Sequence, residues 1–397
     1  MAFWNLNRWS LAPSTGRHFD VLDGLRGVAI LLVVAHHSFG LDPGQNPASR
    51  VGAEICAAGW MGVPIFFVLS GFLISLPFFQ KRQADPRFWY QRGFAWRRLG
   101  KILPPYYLSI GLFLAGYWWL YHDPAYLKSA GMWATGLANF IQLPVLFNMS
   151  YWSLMVESHF YILLPLLFWV TRGCGVRRTA AILFVILFTV PMVVRLCDWP
   201  AGLAALPDVG TPEGRHWEMV FRRFPCQLDY FGWGVGFAGV YVWLAPARER
   251  LGGLVVLGYA GAAALLALLL GWGDWALRDN LLMQPTRWSI EVGHFLPAAA
   301  LLLLFFMFDA DSPGARVLSW GPLRFTGLIS YEWFLLHGPV VHWVRNHQAG
   351  AAVTPASQAW GVGLALVLTF IFSALAYFCF SLPILRRVRD RLRTDKQ

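Results

Sequence analysis

The chain has 397 residues, 57% of them hydrophobic and only 13% charged, about half the charged share of an average soluble domain. That composition excludes the two or three soluble domains the length would otherwise allow. The formal net charge of +11 does not mark a nucleic-acid binder either, because the basic residues sit in short segments between apolar runs rather than clustered on a soluble module.

In chain order, the N-terminal stretch MAFWNLNRWSLAPSTGRHFD lacks the charged-then-apolar pattern of a cleaved signal peptide. The first span is therefore expected to act as the insertion signal, with residues 1–20 as a tail. A helix needs about 20 apolar residues to cross the hydrocarbon. Runs of that kind fall at 22–40, 58–79, 102–121, 152–171, 179–196, 224–245, 251–272, 291–309, 321–344 and 357–385. The stretch MWATGLANFIQLPVLF is apolar but follows a loop and contains Pro144, and reads as interfacial or re-entrant. The prediction is an all-α, polytopic transmembrane helical bundle of about ten spans, one integral-membrane domain over residues 1–397. The 21 tryptophans suit the bilayer interface, where Trp and Tyr collect.

Lys and Arg then set the orientation. With the N-terminus inside, 21 basic residues fall in inner segments and nine in outer loops. Both termini, including the 386–397 tail that opens RRVRDRLRTDK, are then cytoplasmic. The five cysteines are scattered and form no CxxC pair, so neither a zinc site nor a disulfide framework is indicated.

Several ionisable residues lie at membrane depth, where they are costly and usually line polar cavities. In DGLRGVAILLVVAHHS, Arg26 and His37 are eleven residues apart, which places them on one helix face and about 16 Å apart along the axis. His36 points elsewhere. Either Arg26 snorkels to the inner headgroups while His37 caps the outer end, or both face a cavity. In WSLMVESHFYILLPLLF, Glu157 is expected in the outer half of the membrane, like His37. A carboxylate–imidazole pair there would fix the histidine tautomer and raise its basicity, as a general base requires; a structural ion pair is the alternative. His159 falls on another face and reads as a packing residue.

The segment KRQADPRFWYQRGFAWRRLGKILPPYY holds seven basic residues. It either binds anionic lipid headgroups or, through Arg97, Arg98 and Lys101 with Arg26, forms a cytoplasmic cluster for a polyphosphorylated ligand. Ser70, in GVPIFFVLSGFLI, lacks the flanks of a nucleophile elbow. Asp229, Glu332 and His337 are further intramembrane polar groups that line a cavity or bridge helices, with bridging favoured for Glu332.

Taken together, DGLRGVAILLVVAHH, GVPIFFVLSGFLI, RRLGKILPPYY and WSLMVESHFYILLP resemble the acyltransferase 3 family of membrane acyltransferases, the OafA/YrhL-like group. ISYEWFLLHGPV is a weaker match to the family's SYxxYLLHxP. The family's Arg-x10-His motif falls on Arg26 and His37. Its Arg-x-x-Arg motif falls on Arg98 and Lys101, so the second position keeps the charge but loses bidentate phosphate contact. Trp-Ser-Leu-x-Val-Glu falls intact on Trp152 to Glu157, and Glu332 stands where serine is common. The resemblance carries no fused esterase-like domain within these residues.

This resemblance implies transfer of an acyl group, acetyl by family prevalence, from cytosolic acyl-CoA to a hydroxyl of a carbohydrate or other cell-surface or secreted acceptor. His37 would be the general base, Glu157 its supporting carboxylate, and Arg26, Arg97, Arg98 and Lys101 the donor-binding cations. No metal and no tightly bound cofactor are expected, and acyl-CoA is the co-substrate. The implied setting is a bacterial inner membrane, with membrane lipids as further partners and no nucleic acid. A proton-coupled transporter or flippase using the same buried residues is the rival, although it predicts inverted repeats with interrupted helices that the sequence does not show.

Overall fold

The computed structural model describes residues 20–38, 59–82, 94–140, 150–198, 222–246, 311–348 and 354–394, together with 56, 85, 87–90, 148, 220, 261, 299, 302 and 303. Among these the regular structure is entirely helical: α1 (Asp20–Ser38), α2 (Gly62–Lys81), α3 (Phe94–Tyr121), α4 (Pro124–Ala134), α5 (Tyr151–Val170), α6 (Val176–Asp198), α7 (Leu228–Leu244), α8 (Pro313–Leu318), α9 (Gly321–Leu328), α10 (Ser330–Gln348), α11 (Pro355–Ala376) and α12 (Leu382–Thr394). A π turn, Tyr377–Ser381, joins the last two.

Among the described residues, five stretches are long and apolar enough to cross a membrane: Asp20–Ser38, Gly59–Lys81, Tyr151–Val170, Val176–Arg195 and Ala359–Val388. Large apolar side chains stand outward from such helices, among them Ile162 on α5 at 78% exposure and Trp360 on α11 at 69%. In water that outward surface would cost folding energy; against lipid tails it does not. The chain is thus a multi-pass helical membrane protein. Expected spans 102–121 and 224–245 fall on α3 and α7. The spans at 251–272 and 291–309 lie outside the described residues, apart from isolated positions. The span expected as one helix at 321–344 is two, α9 and α10, which meet at Ile329 (φ −89°, ψ 4°). The MWATGLANFIQLPVLF stretch begins on α4 and a short 3-10 turn, Leu137–Asn139; residues 141–147 lie outside the described set.

The helices gather into two compact units. The first comprises α1, α3, α4, α9, α10, α11 and α12. Its helix ends follow from local chemistry. α1 opens with Asp20 and Asp23 in its first turn, a charge sign favourable to the helix dipole at that end, and closes with His36 and His37 in its last. α4 starts at Pro124 behind an Asp123 cap that accepts from the Ala125 amide at 2.8 Å. α11 starts at Pro355 inside a reciprocal Thr354–Ser357 capping box.

What sets the packing of this unit is the absence of side chains at Gly24, Gly27 and Gly327. A Cβ on Gly24 would lie 2.6 Å from the Leu318 carbonyl carbon, and one on Gly327 2.7 Å from that of Asp23. α1 therefore runs backbone to backbone against α9, as small residues permit in membranes. An Arg324–Asp20 ion pair at 2.6 Å ties the same two helices. The Tyr331 hydroxyl donates to the Ile102 carbonyl at 2.8 Å, holding α10 on α3.

The second unit contains α2, nearly all of α5, α6 and α7. Here Phe231 of α7 stacks on Phe67 and Phe160 with ring centroids 4.8 and 4.1 Å away. Gly71 and Gly234 let the backbones of α2 and α7 approach. A buried ion pair, Arg195–Asp229 at 2.7 Å, joins α6 to α7. Asp229 is a helix-bridging group, one of the two roles its sequence allowed.

Candidate active site

α1 carries the first two candidates, and the α1–α9 contact decides where one of them goes. Arg26 lies between Gly24, which meets the Leu318 backbone, and Gly27, which meets α9, and its guanidinium reaches the first turn of α10. There Nε and Nη2 donate to Ser330 Oγ at 3.4 and 3.3 Å. Ser330 is itself buried, at 1% exposure. Two residues on, Glu332 is 4% exposed and its Oε2 has no hydrogen-bond partner. The cations whose fields reach it are Lys101 and Arg26. Arg26 thus faces protein rather than snorkelling alone, and Glu332, for which bridging was favoured, meets Ser381 of the π turn as well as the charges of Lys101 and Arg26.

Arg97, Arg98 and Lys101 lie on the first turns of α3. The Arg98 guanidinium stands 6.0 Å from the Phe94 ring centroid. Arg97 belongs to the helix, but its side chain lies outside the described residues. Of the four expected donor-site residues, Arg26 and Lys101 both act electrostatically on the Glu332 carboxylate.

At the other end of α1, His37 Nδ1 is 2.9 Å from Nε2 of His337 on α10. The two rings lie 5.0 Å apart between centroids at an interplanar angle of 29°, so the shared hydrogen bond runs close to both ring planes. His337 is fully buried, and its Nδ1 lies 2.9 Å from the Phe334 carbonyl and 3.2 Å from that of Trp333. His36, as expected, does something else: its Nδ1 is 2.9 Å from the Cys56 carbonyl.

In the second unit, Glu157 of α5 accepts hydrogen bonds on Oε1 from the hydroxyls of Ser70 and Tyr161. Tyr161 is four residues along the same helix, on the same face. His159 is a packing residue, with Nδ1 2.6 Å from the Met155 carbonyl and its ring against Phe224. The expected pairing of Glu157 with His37 links residues of different units and remains an expectation.

Four participants escaped the sequence reading. Tyr161 was findable from its i, i+4 spacing to Glu157. His337 was read only as lining a cavity or bridging helices, with no link to His37. Ser70 and Ser330 meet their partners 87 and 304 residues away, with no local signal of the contact.

Chemically, the first unit pairs an arginine anchored on a buried serine with an imidazole held by a second imidazole, inside a lipid-facing helical frame. That combination defines a membrane-embedded protein with a guanidinium and an imidazole on one helix face. A model of the acyltransferase domain family matches residues 19–378, and the chain belongs to that family. It is similar to the putative peptidoglycan O-acetyltransferase YrhL of Bacillus subtilis, with 25% identity over 93% of this chain and 55% of the relative. The peptidoglycan O-acetyltransferase OatA of Listeria monocytogenes is 24% identical over 93% of this chain and 56% of the relative. A putative O-acetyltransferase of Staphylococcus aureus is 24% identical over 92% and 57%. The chain thus spans little more than half the length of these relatives. No solved structure matches it. Family membership does not favour the transporter or flippase alternative.

Proposed function

We propose that this chain is a membrane O-acyltransferase that moves an acyl group, acetyl first, from cytosolic acyl-CoA to a hydroxyl of a carbohydrate acceptor. Its setting is the bacterial inner membrane, with both termini cytoplasmic. The names of its relatives make peptidoglycan the first acceptor to test.

The observation that carries this reading is the face of α1. Arg26 and His37 share it three turns apart, and His37 is held by a ring partner. A cation at one end suits the donor's phosphates, and an oriented imidazole at the other suits proton removal. In the proposed step, His37 takes the proton of the acceptor hydroxyl as its oxygen bonds to the thioester carbonyl carbon. The C–S bond then breaks, and the proton passes to the departing thiolate. Glu157 supplies the negative charge that supports the imidazolium. A general base contributes roughly 10²–10⁴-fold, so positioning of the two substrates carries much of the remainder.

The test is release of free coenzyme A from acetyl-CoA by purified protein with an acceptor, alongside mass spectrometry of surface glycans from cells with and without the gene. His37→Ala is expected to lose at least ~10²-fold, while His36→Ala retains most activity. Near wild-type transfer by well-folded His37→Ala protein would refute the mechanism.

A further inference from the structure

The hydrogen bonds around His337 fix more than its own position. Both groups facing its Nδ1 are backbone carbonyls, those of Trp333 and Phe334. A carbonyl oxygen only accepts, so Nδ1 of His337 carries the proton. In the neutral ring, Nε2 then holds the lone pair. That nitrogen is the one 2.9 Å from His37 Nδ1, so the proton between the two rings sits on His37. His37 is therefore the Nδ1–H tautomer, and its lone pair lies on Nε2.

We propose that His337 is the positioning residue of the transfer site: a neutral, buried imidazole that sets the tautomer of His37 and thereby presents Nε2 as the basic atom. The inference rests on the acyltransferase reading for its kinetic consequence, but not for the tautomer itself. In serine-protease triads an aspartate does this work, accepting from the Nδ1–H of the catalytic histidine. Here the acceptor is an uncharged ring whose own orientation is locked by the α10 backbone, three and four residues back. Second-layer hydrogen bonds of this kind commonly decide which histidine nitrogen is available.

The surroundings hold that ring in place. α10 is fixed at this level by Asn148, whose amide donates to the Leu335 carbonyl at 3.0 Å and whose Oδ1 would lie 3.3 Å from a Cβ on Gly338. The Trp333 indole donates to Thr369 on α11 at 2.7 Å. The His337 ring lies tilted against Phe334, with centroids 5.7 Å apart. No helix slide is open to the ring that does not break one of these ties.

The decisive measurement is nitrogen-15 NMR of ring-labelled histidine in the full-length protein in lipid nanodiscs, with the His37 signals assigned by their loss in His37→Ala. The expected result is a protonated Nδ1 and a lone-pair Nε2 at neutral pH. In His337→Phe, which keeps the ring volume without the acceptor, the His37 signals should move toward a tautomer mixture. Protonated Nε2 on His37 in the wild-type protein, or unchanged His37 signals in His337→Phe, would overturn the proposal.

Transfer kinetics supply the second arm. His337→Phe should lower kcat at least ~10-fold with an unchanged KM, short of the ~10⁴-fold seen when an imidazole is held in the wrong tautomer. His337→Gln, whose side-chain oxygen can accept where Nε2 did, should recover part of the loss. Equal losses in the two variants would count against the proposal. A wild-type protein that shows the stated tautomer but transfers no acyl group leaves the positioning intact and refutes the acyltransferase reading instead.

Discussion

Gly327→Ala tests whether the site is built as described, because it perturbs the α1–α9 contact without touching a candidate residue. Its new Cβ would lie 2.7 Å from the Asp23 carbonyl carbon and 3.2 Å from the Gly27 amide nitrogen, and would overlap the Asp23 carbonyl oxygen. Ordinary contact begins at 3.4 Å, so the helices must separate by at least about 0.7 Å, and neither obstructing group is the end of a flexible side chain. Overpacking of this sort typically costs about 1–3 kcal/mol. Arg26 lies one residue before Gly27, so the separation also displaces its guanidinium from Ser330. A misplacement near 1 Å can cost about 10²-fold in rate. Thermal unfolding in detergent and initial transfer rates read the two effects, with Gly116→Ala as control. Gly116 lies in the interior of α3 with nothing within 4 Å of a Cβ, and there alanine should stabilise by up to about 1 kcal/mol. If Gly327→Ala matches the wild type in both melting temperature and rate, the close α1–α9 packing is wrong.

Two further expectations follow from charge. Arg98→Ala should raise the apparent KM for acyl-CoA while leaving the protein folded; a change confined to lipid preference, with donor kinetics intact, would return the basic segment to headgroup binding. A reporter active only in the periplasm, fused after Gln397, should stay silent, since 21 of the basic residues fall on one side against nine on the other; strong activity would reverse the orientation and the side from which the donor enters.

The helical membrane class was legible because it rests on length and apolarity, which are local properties. The Arg26–His37 register was legible for the same reason: eleven residues close three helical turns whatever surrounds them. The break at Ile329 was not, because the apolar pattern runs through it, and neither was the α1–α9 approach, whose cause is the absence of side chains on partners about 300 residues apart. The imidazole that α10 brings to His37 was not legible either, since His337 lies 300 residues away with no local signal of the contact. Depth in the membrane is readable from a sequence, but which helix faces which is settled by tertiary packing. The departures at Lys101 and Glu332 also read as separate oddities in the sequence, whereas the fold brings them into one electrostatic cluster.

That cluster makes a prediction of its own. Glu332 is 4% exposed, with one carboxylate oxygen unpartnered. A bare carboxylate in such a place is costly unless opposite charge offsets it, and Arg26 and Lys101 provide that charge. Conversely, the carboxylate cancels part of the attraction those two cations would exert on an anionic donor. Glu332→Gln keeps the shape and removes the charge. It should lower the apparent KM for acyl-CoA, because two cations are released toward the donor's phosphates. It should also lower thermal stability, by less than the 3–5 kcal/mol of a fully buried broken pair, since Arg26 and Lys101 are only half-buried. The two readouts must move together. A raised KM with unchanged melting temperature would mean that the carboxylate contacts the donor directly, and the counter-ion role assigned to Glu332 would be wrong.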